Sequence, residues 1–270
     1  AAGNFMYAKA MGSTSSETGN SIAVDASGNV YITGNFQGTV DFDPGAGAAN
    51  LTSAGGDDVF VAKYDASGNY VFALRMGGTL TDEGISLRVD GSGNVYVGGF
   101  FYGTADFDPG AGVVNLTSSG NNDFFIAKYD ALGNYVFAKA IGNSGIDILA
   151  GLAIDGSGNI YTTGYFQNTV DFDPGAGTVN LTATGAVDLF LAKYDASGNY
   201  VYAKRAGGTG SIVSNSIAVD GSGNAYITGS FSAQVYANVL DGKKQIPDWA
   251  LNPMYWLILF PSIAEPYMSL

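Results

Sequence analysis

Ser21-Ile-Ala-Val-Asp-Ala-Ser-Gly-Asn-Val-Tyr-Ile-Thr-Gly34, then Asp41-Phe-Asp-Pro-Gly45, then Val59-Phe-Val-Ala-Lys-Tyr-Asp-Ala-Ser-Gly-Asn-Tyr-Val-Phe-Ala73 is the succession that decides the fold, because the chain repeats it. Asp25, Asp90, Asp155 and Asp220 stand 65 residues apart, as do Pro44, Pro109 and Pro174, and Lys63, Lys128 and Lys193. No residue is inserted or lost between copies. A period of this length marks a repeat architecture, in which each unit buries its apolar face against its neighbours.

Within one unit, Ile22, Val24, Val30 and Ile32 alternate with smaller or polar residues, the period-two pattern of half-buried strands. Four strands are predicted per unit: a (21–24), b (29–36), c (59–64) and d (69–76). Asp25-Ala-Ser-Gly-Asn29 joins a to b, and Asp65-Ala-Ser-Gly-Asn69 joins c to d. The glycine supplies positive φ and the aspartate accepts bonds from the amides that follow. These loops superficially resemble calcium loops but are too short to supply 6–8 oxygens, so they read as turns.

The long connection between b and c, residues 37–58, carries Asp41-Phe-Asp-Pro-Gly45 and Asn50-Leu-Thr52. Phe42, Phe107 and Phe172 are expected to tuck it against the sheet. Asp41 and Asp43 lie two apart and so share one side of an extended segment, with copies at Asp106 and Asp108 and at Asp171 and Asp173. Two readings follow: the carboxylates cap the turn's own amides, or they hold calcium weakly as the chain's one candidate cofactor. The Asn-Leu-Thr triplets match a glycosylation acceptor pattern and read here as ladder segments.

Composition narrows the chemistry. The chain has 270 residues, 46% hydrophobic, and 40 glycines that serve tight turns. A formal charge of −13 leaves no basic face for phosphates, which argues against nucleic acid and anionic membrane surfaces as partners. With no Cys and no His there is no thiol nucleophile, no Cys/His zinc site and no imidazole triad. The opening Ala-Ala-Gly-Asn-Phe has no basic or apolar leader pattern, so any signal peptide is expected to lie outside this sequence.

The fixed order apolar-Ala-Val-Asp-x-Ser-Gly-Asn-Val-Tyr-apolar-Thr-Gly, a Phe-containing loop, then apolar-Phe-apolar-Ala-Lys-Tyr-Asp-x-x-Gly-Asn resembles the bacterial SBBP β-propeller repeat over residues 3 to about 231. The Asp-Phe-Asp-Pro-Gly variant is similar to copies in large surface proteins of marine and gliding bacteria. The resemblance implies a propeller and a secreted or cell-surface location in a bacterium, and it carries over no catalytic residue. Strand counting reaches the same architecture, since four hairpin-linked strands make one blade and radial repetition leaves only short edges.

The expected fold is therefore an all-β, single-domain propeller over residues 1–270. Full repeats span 20–76, 85–141 and 150–206, residues 3–11 form a strand d, and residues 215–231 form strands a and b. The divergent tail, 232–270, holds both Trp and four of the seven Pro residues. Its apolar run 254–260 is too short for a membrane span and lies three periods after strand c, so it is expected to fill the missing strand c and pair with residues 4–10. Closure in one chain gives a four-bladed ring and a monomer. Closure between two chains gives a homodimer with eight blades.

An asymmetric ligand needs positions where the copies differ. Arg88 replaces the Ala23 of other copies, Arg75 departs from Ala10 and Ala140, and Glu17, Asp82 and Asp147 precede strand a where Ile212 stands in the fourth copy. For Arg88, an ion pair or a snorkelling stem competes with lining a pocket or channel. Tyr31, Tyr96, Tyr161 and Tyr226 offer either stacking platforms or core packing. Three functions compete. One is an adhesion or binding module for a glycan or a surface protein. The second is a glycoside hydrolase working through paired Asp/Glu carboxylates. The third is a structural array without its own ligand.

Overall fold

The computed structural model describes residue 3 and residues 5–232, together with the strands at 235–239, 242–245 and 256–260; side chains are described to Ser232, except Phe231. The first unit contains β1 (Glu17–Val24), β2 (Val30–Phe36), β3 (Thr39–Asp41), β4 (Asn50–Thr52), β5 (Asp58–Tyr64) and β6 (Tyr70–Gly78). The second contains β7 (Asp82–Val89), β8 (Val95–Asp106), β9 (Asn115–Tyr129) and β10 (Tyr135–Ile141). The third contains β11 (Asp147–Ile154), β12 (Ile160–Phe166), β13 (Thr169–Asp171), β14 (Asn180–Thr182), β15 (Asp188–Tyr194) and β16 (Tyr200–Gly208). The fourth contains β17 (Ile212–Val219), β18 (Ala225–Phe231), β19 (Val235–Val239), β20 (Gly242–Gln245) and β21 (Trp256–Phe260). All the sheet ladders are antiparallel, and each of the first three units is a four-stranded sheet in chain order with a two-stranded arm between its second and third strands. In the second unit the arm is continuous with β8 and β9.

The turns hold the sheets in register. Asp25 Oδ1 accepts the amides of Ser27 and Asn29 at 2.9 Å, and its Oδ2 accepts Asn29 Nδ2 at 2.8 Å and the Tyr31 hydroxyl at 3.2 Å. Gly28 sits at φ 81°, which a side chain there would strain. The same set recurs around Asp90, Asp155 and Asp220. Burial alone would raise the Asp155 carboxyl, but the bonds from Asn159 and Ser157 and the charge of Lys193 outweigh it and hold it low. Replacing Asp155 by Ala is expected to cost about 1–2 kcal/mol, read by urea denaturation, for a lost set of turn bonds on a partly exposed group. Unchanged stability would refute that role.

The arm is pinned by aromatics. Phe42 is 3% exposed and packs on Phe36 and Phe60 with ring centroids 5.5 and 5.0 Å apart, and the Tyr64 hydroxyl donates to the Phe42 carbonyl at 2.9 Å. Tyr129 and Tyr194 do the same for Phe107 and Phe172. The Asn-Leu-Thr triplets are ladder strands, with Thr52 and Thr39 sharing a hydroxyl bond of 2.8 Å.

The unrelated tail keeps the repeat's frame part of the way. Tyr236 pairs with Gln245, each three periods on from Asp41 and Asn50, which pair with each other. Tyr236 also pairs with Gly207, as Asp106 pairs with Gly77 two periods earlier. At β21 the frame slips. Tyr226 pairs with Leu259, whereas Tyr31, Tyr96 and Tyr161 pair with Lys63, Lys128 and Lys193, which correspond to position 258. A one-residue slip exchanges the faces of a strand.

Among the described residues, the two segments expected to close the ring are not paired with each other. Of those residues, 5–11 carry no strand and β21 pairs with β18 alone, while residues 4, 254 and 255 lie outside the described residues. The segment nevertheless stands where a strand d would: Gly12 bridges Asp41 as Gly77 pairs with Asp106, and Tyr7 lies against Gly68 as Phe72 lies against Gly133. The slip of β21 puts its free edge out of step with such a partner. At the first unit Ile22 is 64% exposed, while its counterparts Leu87, Leu152 and Ile217 are at most 3% exposed.

Candidate functional site

At the turn end of the sheets, Tyr31, Tyr96 and Tyr161 are buried and so are not stacking platforms. Lys63, Lys128 and Lys193 lie over their rings at 4.9, 4.7 and 4.6 Å from the centroids. Burial and the neighbouring carboxylate push the Tyr31 hydroxyl up to about 12. Lys63 and Lys128 then reach forward to the carbonyls of Ala131 and Ala196 in the next unit, both at 3.3 Å. The corresponding residue for Lys193, number 261, lies outside the described residues. Lys193 turns instead to the Tyr161 hydroxyl at 2.6 Å and to Asp155 at 3.7 Å. Beside it lies a cavity of about 360 Å³ lined by Asp155, Tyr161, Lys193 and Tyr202.

At the opposite end, the carboxylates proposed for calcium act on their own backbone. Asp41 Oδ1 accepts the amides of Asp43 at 3.0 Å and Ala49 at 2.8 Å, and Asp43 Oδ1 accepts Gly45 at 2.8 Å. Asp106 with Asp108, and Asp171 with Asp173, repeat the pattern. The backbone bonds hold the Asp41 carboxyl below the usual range. Among the described residues no three Asp or Glu side chains come together in a metal-ligating group.

The candidate ligand residues do not converge on one pocket. Asp82 is buried between the first and second units, accepting the amides of Gly78 at 2.7 Å and Tyr102 at 3.1 Å. Burial, only partly offset by those bonds, raises its carboxyl to about 7. Arg75 belongs to the same junction, where it pairs with the buried Asp58 at 2.7 Å. Asp147 occupies the next junction, buried in the same way, with its carboxyl raised to about 7. Glu17 takes the Ser13 hydroxyl near the start of the chain. Arg88 lies at the far end of β7, its guanidinium donating to the Leu87 carbonyl at 2.7 Å, with no ion pair among the described residues.

The structure adds a site that the comparison of copies did not single out. Leu80, Thr81, Glu83, Phe100 and Tyr102 line an open cavity of about 330 Å³. Phe100 and Tyr102 stand edge to face at 6.0 Å, both half-buried. Burial first, and then the charge of Asp57, raises the Glu83 carboxyl. Two of these residues depart from the other copies, Tyr102 standing where Gln37 and Gln167 do and Glu83 where Thr18 and Ile148 do, while Phe100 stands where Asn35, Tyr165 and Ser230 do. That signal was present in the sequence. It was hidden because exposed and buried aromatics look alike in a strand.

Residues 12–35 and 201–230 match the model of the SBBP family, described as a beta-propeller repeat. The chain is 27% identical over 235 residues to an uncharacterized WD repeat-containing protein, L264, of Acanthamoeba polyphaga mimivirus, over 77% of this chain and 17% of that protein. It is 29% identical over 160 residues to the regulatory protein FlaEY of Caulobacter vibrioides, over 58% of this chain and 16% of that one. The chain thus spans about a sixth of the length of these curated relatives. A crystal structure of a protein of unknown function from Bacteroides caccae aligns at 12% identity with a TM-score of 0.38, over 86% of this chain and 60% of the other. Among the described residues no helix is long and apolar enough to cross a membrane.

Proposed function

We propose that this chain is an extracytoplasmic binding module of the β-propeller repeat type, and that its ligand is a neutral glycan received at Glu83, Phe100 and Tyr102. The observation that carries this reading is the cavity itself. Its volume suits a small ligand, at about 330 Å³, and it joins two half-buried aromatic rings to one carboxylate, of which Tyr102 and Glu83 have no like residue in the neighbouring units. Aromatic faces stack on the apolar side of a sugar ring, and the carboxylate accepts hydroxyl bonds. The acidic surface favours neutral over anionic sugars.

Glu83 also gives a specific reason to test hydrolysis, because a carboxyl raised by burial beside a second carboxylate, Asp57, is the arrangement of an acid and its partner. A glycan array with the full chain, followed by a hydrolase panel on whatever binds, tests both readings. Phe100→Ala and Tyr102→Ala are each expected to weaken the best glycan about 3–10-fold, the loss of roughly 0.5–1.5 kcal/mol of aromatic contact, with melting unchanged. No glycan bound above background, or binding indifferent to both variants, would refute the proposal. Product release abolished by Glu83→Gln would favour the enzyme.

A further inference from the structure

Three junctions between consecutive units are built on one plan, and the middle one lacks a part. Each third sheet strand carries a buried aspartate at the same repeat position, Asp58 and Asp188 at the start of β5 and β15 and Asp123 within β9. In each, Oδ2 accepts the amide of the residue four earlier: Ala54 at 3.0 Å, Ser119 at 3.0 Å and Thr184 at 2.9 Å. In the first and third junctions a guanidinium sits on the same oxygen, from Arg75 and Arg205. The equivalent position in the middle junction is Ala140.

Like the first junction, where Asp82 joins Asp58, the middle one holds a second buried carboxylate, but without the arginine. Asp147 enters it from the following unit, 0% exposed, where the third junction has the apolar Ile212. Asp147 Oδ2 accepts the amide of Asn143 at 2.7 Å and Oδ1 that of Gln167 at 3.2 Å, so its oxygens retain lone pairs but meet no cation. Asp123 is 2% exposed and its Oδ1 has no hydrogen-bond partner. The neighbouring Asn122, 1% exposed, likewise has an unpartnered Oδ1. Gly142 brings the backbone close to the unpartnered carboxylate oxygen, which would lie 2.5 Å from a Cβ at that position. A buried carboxylate pair without a counter-charge is costly, and a removed partner is felt strongly.

We propose that the Asp123–Asp147 junction is a binding site for one calcium-class divalent cation, which stands where the flanking junctions hold a guanidinium. Two carboxylates balance the charge of such an ion, and hard oxygen donors are the set it prefers. Water would have to complete the coordination, since calcium takes 6–8 oxygens. The way in is marked by the flanking arginines, whose side chains are 32% and 17% exposed while the carboxylates they reach are 0% exposed. Position 140 carries only a methyl group where those arginines stand.

Calorimetry and thermal melting of the full chain, freed of metal by a chelator and titrated with calcium and then with magnesium, test the proposal. The expected result is one calcium bound per chain with a rise in melting temperature of several degrees, and a weaker response to magnesium, which demands tighter octahedral geometry. Ala140→Arg rebuilds the flanking arrangement and is expected to abolish the calcium response while leaving a folded protein that melts no lower than the metal-free parent. Asp147→Asn is expected to abolish it as well. The paired variant Asp41→Asn with Asp43→Asn should leave it intact. Absence of any heat and any melting shift overturns the site and leaves a shared proton as the compensation. So does a calcium response that survives both Ala140→Arg and Asp147→Asn, or one lost with Asp41 and Asp43.

Discussion

Replacing Arg75 by Ala is expected to lower stability at neutral pH by about 2–4 kcal/mol. Breaking a buried pair by removing one partner costs roughly 3–5 kcal/mol, because the other charge stays in the interior uncompensated. Some of that is lost to solvent screening here, since the Arg75 side chain is 32% exposed although Asp58 is fully buried. The penalty lies in the stranded carboxylate rather than in the lost attraction. Adding Asp58→Asn to Arg75→Ala is therefore expected to recover most of it, the amide oxygen still accepting from Ala54. Urea denaturation of the two variants checks this, and an Arg75→Ala protein within about 0.5 kcal/mol of the parent, the range of ordinary surface substitutions, would refute it.

The second large effect is a pH dependence centred on Asp82. Its carboxyl is raised to about 7 by burial, against the bonds from Gly78 and Tyr102, and it faces the carboxylate of Asp58 and the guanidinium of Arg75. Because the folded form holds the proton more tightly than the unfolded chain, whose ordinary value is 3.8, this group's contribution is fully present below about pH 4 and is lost as pH rises to about 7. Three pH units at 1.36 kcal/mol each make that loss on the order of 4 kcal/mol. The turn aspartates act in the opposite sense: Asp25, Asp65 and Asp130 are held low by bonds from the following residues, so their contribution is lost as pH falls through the acid range. Mildly acid conditions are thus expected to be optimal. Denaturation curves between pH 4 and 8 for the parent and Asp82→Asn isolate the group. Their stability difference should shift by several kcal/mol across that range, whatever fixed offset the amide introduces by placing a donor near two N–H groups. A difference that stays constant with pH would contradict the assignment.

The repeat made the local structure readable. Asp25-Ala-Ser-Gly-Asn29 names its own turn, since the carboxylate, the positive-φ glycine and the amide partners all fall within five residues. Phe42 and Tyr64 were legible as arm and sheet for a similar reason, being apolar positions in a fixed frame. Contacts between units were less so. Nothing in the sequence places Arg75 on Asp58 rather than on solvent, and the identity of position 140 gains meaning only once its counterparts are seen to touch a carboxylate. The register of β21 escaped for a different reason. An apolar run is compatible with either of two alternations, and spacing by three periods chose the one that the pairing with β18 does not adopt. The cavity beside Glu83 is not legible because an aromatic in a strand looks the same whether it faces the core or solvent.

The lysine reach from one unit to the next has a consequence for how the chain folds and fails. Lys63 meets Ala131 and Lys128 meets Ala196, so each clasp joins a unit only to its immediate successor, 68 residues along the chain. Stability in such an array is a sum of unit terms and nearest-neighbour coupling terms, and units at an end have one coupling where inner units have two. Opening should therefore proceed inward from the ends of this array, and backbone amides of β8 and β9 in the second unit should exchange with deuterium more slowly than those of β1, where Ile22 is exposed.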